Sequence, residues 1–391
     1  MKILLLNLWR VIDSKGGTEK VFFNMANALS EKGYDIVALA LEDRVGKPFF
    51  SIAPKVKFIN VGIGFKNKLT LKQKICKIFI VNREKKRLFK EKILDERKAI
   101  ILRPILEKEK PDIIVSFSME ATRILVNHIN MDVPIISMFH FDPDTILKDI
   151  ADYTRNALEK SACIQVLLEN DIARTRKYID HKNIKCIPNI VPQHECPPVV
   201  ELRDRCIITV ARIDENQKRQ HLLIEAFNKI KESYSDWRVE IWGETDCDKK
   251  YYRYCLALLK KYNLEKQIVF CGTTNNVDEK LKQASIFAFP SAFEGFALAM
   301  TEGMSLGVPV VGYRSCTSVR ELIKDRYNGL LCEDGIDDFA AKLALLMHDD
   351  KLREQLGRNA HESMKAFSPE KIWDTWEKLI IETVENQKSV E

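Results

Sequence analysis

No apolar run in this 391-residue chain reaches the roughly 18 residues a membrane-spanning helix needs. The N-terminal MKILLLNLW has too short an apolar run, and no small-residue cleavage site, for a signal peptide, so it is expected to be a first buried strand. The ten cysteines form no C-x-x-C and no paired Cys/His spacing, which argues against zinc; thiols without a framework suit a reducing cytoplasm. There is no short-period repeat and no low-complexity tract. The G-x-G-x-x-G of dinucleotide-binding loops is also absent, which disfavours nicotinamide or flavin. No aromatic–basic interleaving accompanies the cations, so nucleic acid is not an expected partner.

What is present is a chain long enough for two domains, with the 46% hydrophobic content of an ordinary globular protein. The net charge of +6 is unevenly placed: Lys66 to Lys110 holds 16 Lys/Arg against 6 Asp/Glu, a local +10, so the remainder sums to −4. Within that stretch Leu71, Ile75, Ile78 and Phe79 fall at helical spacing, and cations take the other positions. This fits either a solvated helical hairpin or an electrostatic foot on an anionic membrane.

Short apolar runs such as Ile3–Leu8, Asp35–Leu41, Asp112–Phe117 and Pro134–Phe139 alternate with helical patterns, the first over Thr18–Lys32. That alternation predicts an α/β fold with buried parallel strands. At Pro188 the texture changes to PNIVPQHECPPVVELRD, and a second alternation starts at Cys206. The expected organisation is an N-terminal Rossmann-like domain over 1–188, a linker over 189–204, a second Rossmann-like domain over 205–368 and a C-terminal helix over 369–391 that packs back towards the first domain. Two tandem halves of this type place ligands in the cleft their parallel sheets face.

The segment FAFPSAFEGFALAMTEG, ending at Gly303, reads as a strand end, a corner at Glu294-Gly295 and a helix from Phe296. Unpaired N–H groups at such a helix start favour a phosphate, and carboxylates at Glu294 and Glu302 would flank it as acceptors for hydroxyls. Alone, the two glutamates also fit a helix cap and a surface residue. VARIDENQKRQHLLIEAF adds Arg212 at a strand end and Lys218 at a helix entry, a fork and a point charge for phosphate oxygens. Gly16-Gly17 lets backbone approach an anion, and Glu19 suits the dipole of the helix that follows. In MFHFDPD, His140 stands at the carboxyl end of a strand. Asp142/Asp144 and Asp246/Asp248 have D-x-D spacing but no third ligand, so no metal is expected. Gly272 and Thr273 end another strand and turn into a helix.

These residues together resemble the family-4 retaining glycosyltransferases of group 1. The match rests on E-G-F with a second Glu after seven residues, on an Arg after the first strand of the second half, on Lys before L-I-x-A-F, and on a His at the strand end. Arg219 departs from the family, which usually has glycine or a small polar residue there. The resemblance implies the GT-B architecture, with the nucleotide-sugar donor, UDP-linked, on the C-terminal domain. The acceptor, a glycan, lipid-linked or cell-surface polymer, would lie on the N-terminal domain. It implies that Arg212 and Lys218 neutralise the departing diphosphate and that the backbone of Gly295, Phe296, Ala297 and Leu298 binds the same phosphates or the sugar. Glu294 would hold sugar hydroxyls, Glu302 the ribose, and His140 the sugar near the reacting carbon. Gly272 and Thr273 would lie beside the base. No metal, cofactor or protein nucleophile is implied; the thiols place the enzyme in the cytoplasm, and the basic stretch puts it on the membrane face if it is an electrostatic foot and not a solvated hairpin. A nucleotide-sugar epimerase of similar fold and a catalytically silent sugar-nucleotide-binding protein are the alternatives.

Overall fold

Short apolar runs, too short for a helix, set most of the strands. In the computed structural model, which describes residues 1–62, 68–195, 203–245 and 248–389, the chain forms two units: Met1–Pro188 with Ile372 onward, and Asn189–Lys371.

The first unit carries a seven-stranded sheet from β1 (Lys2–Asn7), β2 (Asp35–Ala40), β3 (Lys57–Asn60), β4 (Ile113–Ser116), β5 (Ile135–Met138), β6 (Cys163–Val166) and β7 (Ile184–Cys186). Its spatial order is β3-β2-β1-β4-β5-β6-β7, and every pairing is parallel. Ile3–Leu6 and Ile113–Val115 are fully buried, because helices cover both faces of a parallel sheet. The helix Gly17–Glu31 inserts Phe22, Phe23 and Met25 into this core.

The second unit carries β8 (Cys206–Val210), β9 (Arg238–Trp242), β10 (Ile268–Gly272), β11 (Ile286–Phe289), β12 (Val310–Tyr313) and β13 (Gly329–Cys332), all parallel, in the order β10-β9-β8-β11-β12-β13. β13, whose apolar run is only Leu330–Cys332, escapes a reading based on apolar runs. Counted within each unit, both orders run 3-2-1-4-5-6, the doubly wound arrangement, with an added strand in the first.

The described parts of the expected linker, 189–195 and 203–204, make contacts within the second unit. Val191 donates to the Phe367 carbonyl at 2.9 Å, and buried Arg203 donates to the carbonyls of Ala284 at 2.7 Å and Leu306 at 2.6 Å. A guanidinium that satisfies two orphan carbonyls holds this end of the segment onto the second unit. The proline-rich 196–202 lies outside the described residues.

The final helix, Pro369–Lys388, spans the other boundary, and from Ile372 it belongs to the first unit. Trp376 is buried, Lys32 reaches Asp374 at 2.6 Å and Glu377 at 2.7 Å, and Tyr34 donates to Glu377 at 2.7 Å.

The basic region is a helical hairpin, Leu71–Ile78 followed by Arg83–Glu109. The long helix is anchored by a two-pronged pair: Arg123 donates through Nε at 2.6 Å and Nη2 at 3.0 Å to Asp95, whose side chain is fully buried. Burial makes this pair costly to break, since the surviving guanidinium would keep only the longer ion-pair contact to Glu91 at 3.7 Å. Asp95→Asn should therefore lower the unfolding free energy of the first unit by about 3–5 kcal/mol. Urea unfolding followed by tryptophan fluorescence measures this, and a loss below about 1 kcal/mol would mean the pair does not anchor the helix.

Candidate active site

In a doubly wound sheet, ligands sit outside the carboxyl ends of the strands where the order reverses. In the second unit that point lies between β8 and β11, and the loops leaving these two strands carry Arg212–Lys218 and Pro290–Leu298.

The two loops are fastened to each other. The Ala292 N–H donates to the Gln217 carbonyl at 2.8 Å, and Gln217 Nε2 donates to the Phe293 carbonyl at 3.0 Å and to Glu294 Oε2 at 3.3 Å. Arg219 Nε donates to the Pro290 carbonyl at 2.9 Å, while its guanidinium stacks 4.9 Å from the Tyr313 ring. At the centre Lys218 Nζ is ion-paired with Glu294 Oε1, and both side chains are largely buried. The structure thus joins two residues that the sequence reading gave separate tasks. Arg212 stands beside them, held by Gln217 and Asp214, with its side chain more than half exposed.

Helices begin immediately beyond each loop, Gln220–Ile230 and Leu298–Ser305. The second starts later than expected: Gly295 and Phe296 precede it, because Phe296 is buried edge-on against Phe367. Both helices enter through a non-glycine residue in the left-handed region, Arg219 at φ 50° and Ala297 at φ 54°. This conformation costs an ordinary residue roughly 1–2 kcal/mol, and it concentrates at ligand sites. Nothing in the sequence signalled it. It leaves the first N–H groups of both helices at the carboxyl ends of the strands.

Glu302 lies within the Leu298–Ser305 helix and is buried, not on a solvated face. Gly272 ends β10 and accepts at 2.7 Å from Gly243, and Thr273 beyond it is exposed. Gly243 is a site residue the sequence reading missed. A Cβ there would stand 1.9 Å from the Ala211 carbonyl oxygen, so only glycine lets the end of β9 lie against the start of the Arg212 loop.

Gly16, Gly17 and His140 belong to the first unit. Gly16 precedes the helix Gly17–Glu31, and a Cβ on it would lie 2.1 Å from Glu19 Oε2. The room made by the glycine is filled by that carboxylate, which Ser14 Oγ contacts at 3.2 Å. Glu19 is buried, and desolvation raises its pKa, so it is more than a surface residue suited to the dipole. Glu42, also absent from the sequence reading, fixes the loop after β1 by accepting from Val11 at 2.6 Å and Ile12 at 2.7 Å.

His140 follows β5 and stacks on Phe117 with ring centres 5.4 Å apart. Its residue surface is only partly buried, yet Nε2 is enclosed and has no partner among the described residues. Burial pushes the imidazole pKa down to about 4, so the ring is neutral at pH 7. The neighbouring carboxylates are spoken for: Arg174 pairs with Asp142, Asp144 and Asp171 together. Of the other D-x-D pair, Asp248 caps the helix Lys249–Tyr262 by accepting from Tyr251 at 3.0 Å, and Asp246 lies outside the described residues. Among the described residues no group of three or more His, Cys, Asp or Glu side chains could hold a metal ion.

Residues 197–363 match the family described as glycosyl transferases group 1. This stretch, which lies within the second unit, resembles the group 1 glycosyltransferases. An uncharacterized glycosyltransferase of Haemophilus influenzae is 25% identical over 375 residues, covering 94% of this chain and 97% of that protein. A Campylobacter jejuni enzyme, the GalNAc-alpha-(1->4)-GalNAc-alpha-(1->3)-diNAcBac-PP-undecaprenol alpha-1,4-N-acetyl-D-galactosaminyltransferase, is 24% identical over 94% of this chain and 96% of its own. Sucrose-phosphate synthase from Thermosynechococcus elongatus superposes with TM-score 0.79 at 17% identity, over 97% of this chain and 98% of that chain. The fold is GT-B, two Rossmann-like domains in one chain.

Because His140 has an ordinary pKa of 6.5 unfolded and about 4 folded, the unfolded chain binds the extra proton between those values. The stability this group contributes is complete above pH 6.5 and is lost as pH falls towards 4. His140→Asn should flatten this part of the stability–pH curve by no more than roughly 3 kcal/mol between pH 7 and 4. Urea midpoints at the two pH values test this, and an unchanged pH dependence would show that the ring titrates freely.

Proposed function

We propose that this chain is a group 1 glycosyltransferase that moves a sugar from a UDP-linked donor to a glycan or lipid-linked acceptor, with retention at the anomeric carbon and without a metal. The observation that carries the reading is the buried Lys218–Glu294 pair between two helix N-termini, with Arg212 exposed beside it. Such a place suits a diphosphate: N–H groups and a cation face the oxygens, and a carboxylate is at hand for sugar hydroxyls. A diphosphate offers Lys218 a stronger partner than Glu294, so donor binding would release Glu294 to the sugar. Glu302, buried further along the same helix, would take the ribose, and Gly272 and Thr273 would lie beside the base.

With His140 neutral and no protein nucleophile needed, chemistry reduces to positioning and charge stabilisation: the acceptor hydroxyl attacks from the face the leaving group vacates, and a phosphate oxygen takes its proton. Two relatives support the acceptor class. Both are Campylobacter jejuni enzymes named for undecaprenol-diphosphate acceptors, one of them 33% identical over 174 residues. For the donor, the structurally similar TarM of S. aureus is described in complex with UDP. The engagement of Asp142 and Asp144 by Arg174 leaves that D-x-D pair poorly suited to a cation, in keeping with a metal-independent mechanism.

The test is a panel of nucleotide-sugars in excess EDTA, with the product anomer read by NMR. A UDP-sugar should turn over with retained configuration. Arg212→Ala should lower kcat/KM by roughly one to two decades, the loss of one charge-assisted phosphate contact. Arg212 is the cleaner probe, because removing Lys218 would also leave the Glu294 carboxylate without its cation. Inverted product, activity lost in EDTA and restored by Mn²⁺, or unchanged kinetics in Arg212→Ala would each contradict the proposal.

A further inference from the structure

The helix Leu71–Ile78 has no buried residue. It is held by its own cap, in which Thr70 Oγ1 accepts from Gln73 N at 3.3 Å and Gln73 Oε1 accepts from Thr70 N at 3.0 Å. Arg97 ties it back to the long helix Arg83–Glu109, donating to the Lys68 carbonyl at 2.9 Å and to Gln73 Oε1 at 2.6 Å. A helix fixed this way does not need its apolar side chains for packing. Yet it carries Leu71, Ile75 and Ile78 at i, i+4 and i+7, one stripe on one face, and Phe79 and Val81 extend them into the turn. These five residues are between 48 and 95% exposed.

Beside the stripe the hairpin forms a groove of about 510 Å³ lined by Lys68, Leu69, Lys74, Lys77, Ile78, Lys86 and Lys90. Among the described residues none of these five lysines has an ion-pair partner, although the same long helix binds acids elsewhere, as in Arg87–Glu91 and Lys98–Glu120. A contiguous apolar ridge on an exposed helix marks an interaction surface. Lysines without counter-charges around it specify an anionic partner.

We propose that this hairpin is a docking surface for an anionic lipid bilayer. The ridge of Leu71, Ile75, Ile78 and Phe79 enters the boundary between headgroups and acyl chains, and the lysine-lined groove receives lipid phosphates. A helix lying in the interface in this way needs both parts, since apolar burial alone would not select negative lipid and lysines alone would not need an exposed ridge. A nucleic acid would neutralise the lysines but leave the apolar side chains in water. The proposal does not rest on the glycosyl-transfer reading, because it is read from binding alone.

The experiment is co-sedimentation of the full chain with phosphatidylcholine vesicles that contain or lack phosphatidylglycerol. The chain should pellet with the anionic vesicles only. Binding should fall about tenfold or more as salt rises from 0.1 to 1 M and the Debye length shrinks from about 10 to about 3 Å. Two variants separate the parts: Lys74→Glu/Lys77→Glu/Lys86→Glu/Lys90→Glu, and Leu71→Ser/Ile78→Ser/Phe79→Ser. All seven positions lie on the hairpin surface, and unchanged circular dichroism and thermal unfolding would show that both variants fold. Each should lose at least about tenfold in binding. No pelleting at low salt, equal pelleting with both vesicle types, or full binding by either variant overturns the proposal. Binding to poly(U) that displaces vesicles and survives the serine substitutions would assign the surface to nucleic acid instead.

Discussion

The pairing of Lys218 with Glu294 is the contact on which the arrangement of the second unit's site depends. It joins the loop after β8 to the loop after β11, across the point where the strand order reverses. An ion pair placed this deep is a weak source of stability, because desolvation offsets much of its attraction. Its value lies in position. Gln217 bonds both loops, Arg219 bonds the Pro290 carbonyl, and the two left-handed residues turn their helices so that N–H groups end beside the pair. One cation, one anion and two helix N-termini are thus held in a fixed relation by backbone contacts.

The first unit repeats the doubly wound order but fills the equivalent positions differently. Where a ligand anion would approach the helix after β1, the chain supplies Glu19, and Glu42 fixes the loop before it. His140 is held neutral against Phe117, and Arg174 locks the aspartates that follow it. This unit therefore presents a rigid, acid-lined loop and a neutral imidazole. Those groups suit hydroxyl-bearing molecules better than they suit phosphate.

Much of this was legible in the sequence, for a physical reason. Buried parallel strands must be short and continuously apolar, so Ile3–Leu6, Ile113–Val115 and Ile286–Phe289 declare themselves without help from neighbours. Arg212, Lys218 and Glu294 stood out through the resemblance to the group 1 pattern, since alone such charges also fit a loop or a helix cap. The rest depended on tertiary contacts with no local pattern. The Lys218–Glu294 pair spans 76 residues, and the partners of Val191 and Arg203, namely Phe367, Ala284 and Leu306, lie far along the chain. Gly243 gives no signal of its own, since what requires it is the Ala211 carbonyl just past the end of the neighbouring strand β8. The corner read at Glu294-Gly295 carries no hint of the left-handed residue, which is Ala297, two residues on, beside the packing of Phe296 against Phe367.

The central claim is that donor phosphates bind where the β8 and β11 loops meet, and hydrogen exchange of backbone amides with and without UDP tests it most directly. Saturating UDP should slow exchange at both helix entries, around Gln220–Leu222 and Gly295–Met300, and leave the amides of the loop after β1 unchanged. Protection confined to the first unit, or none at either helix entry, would contradict the account.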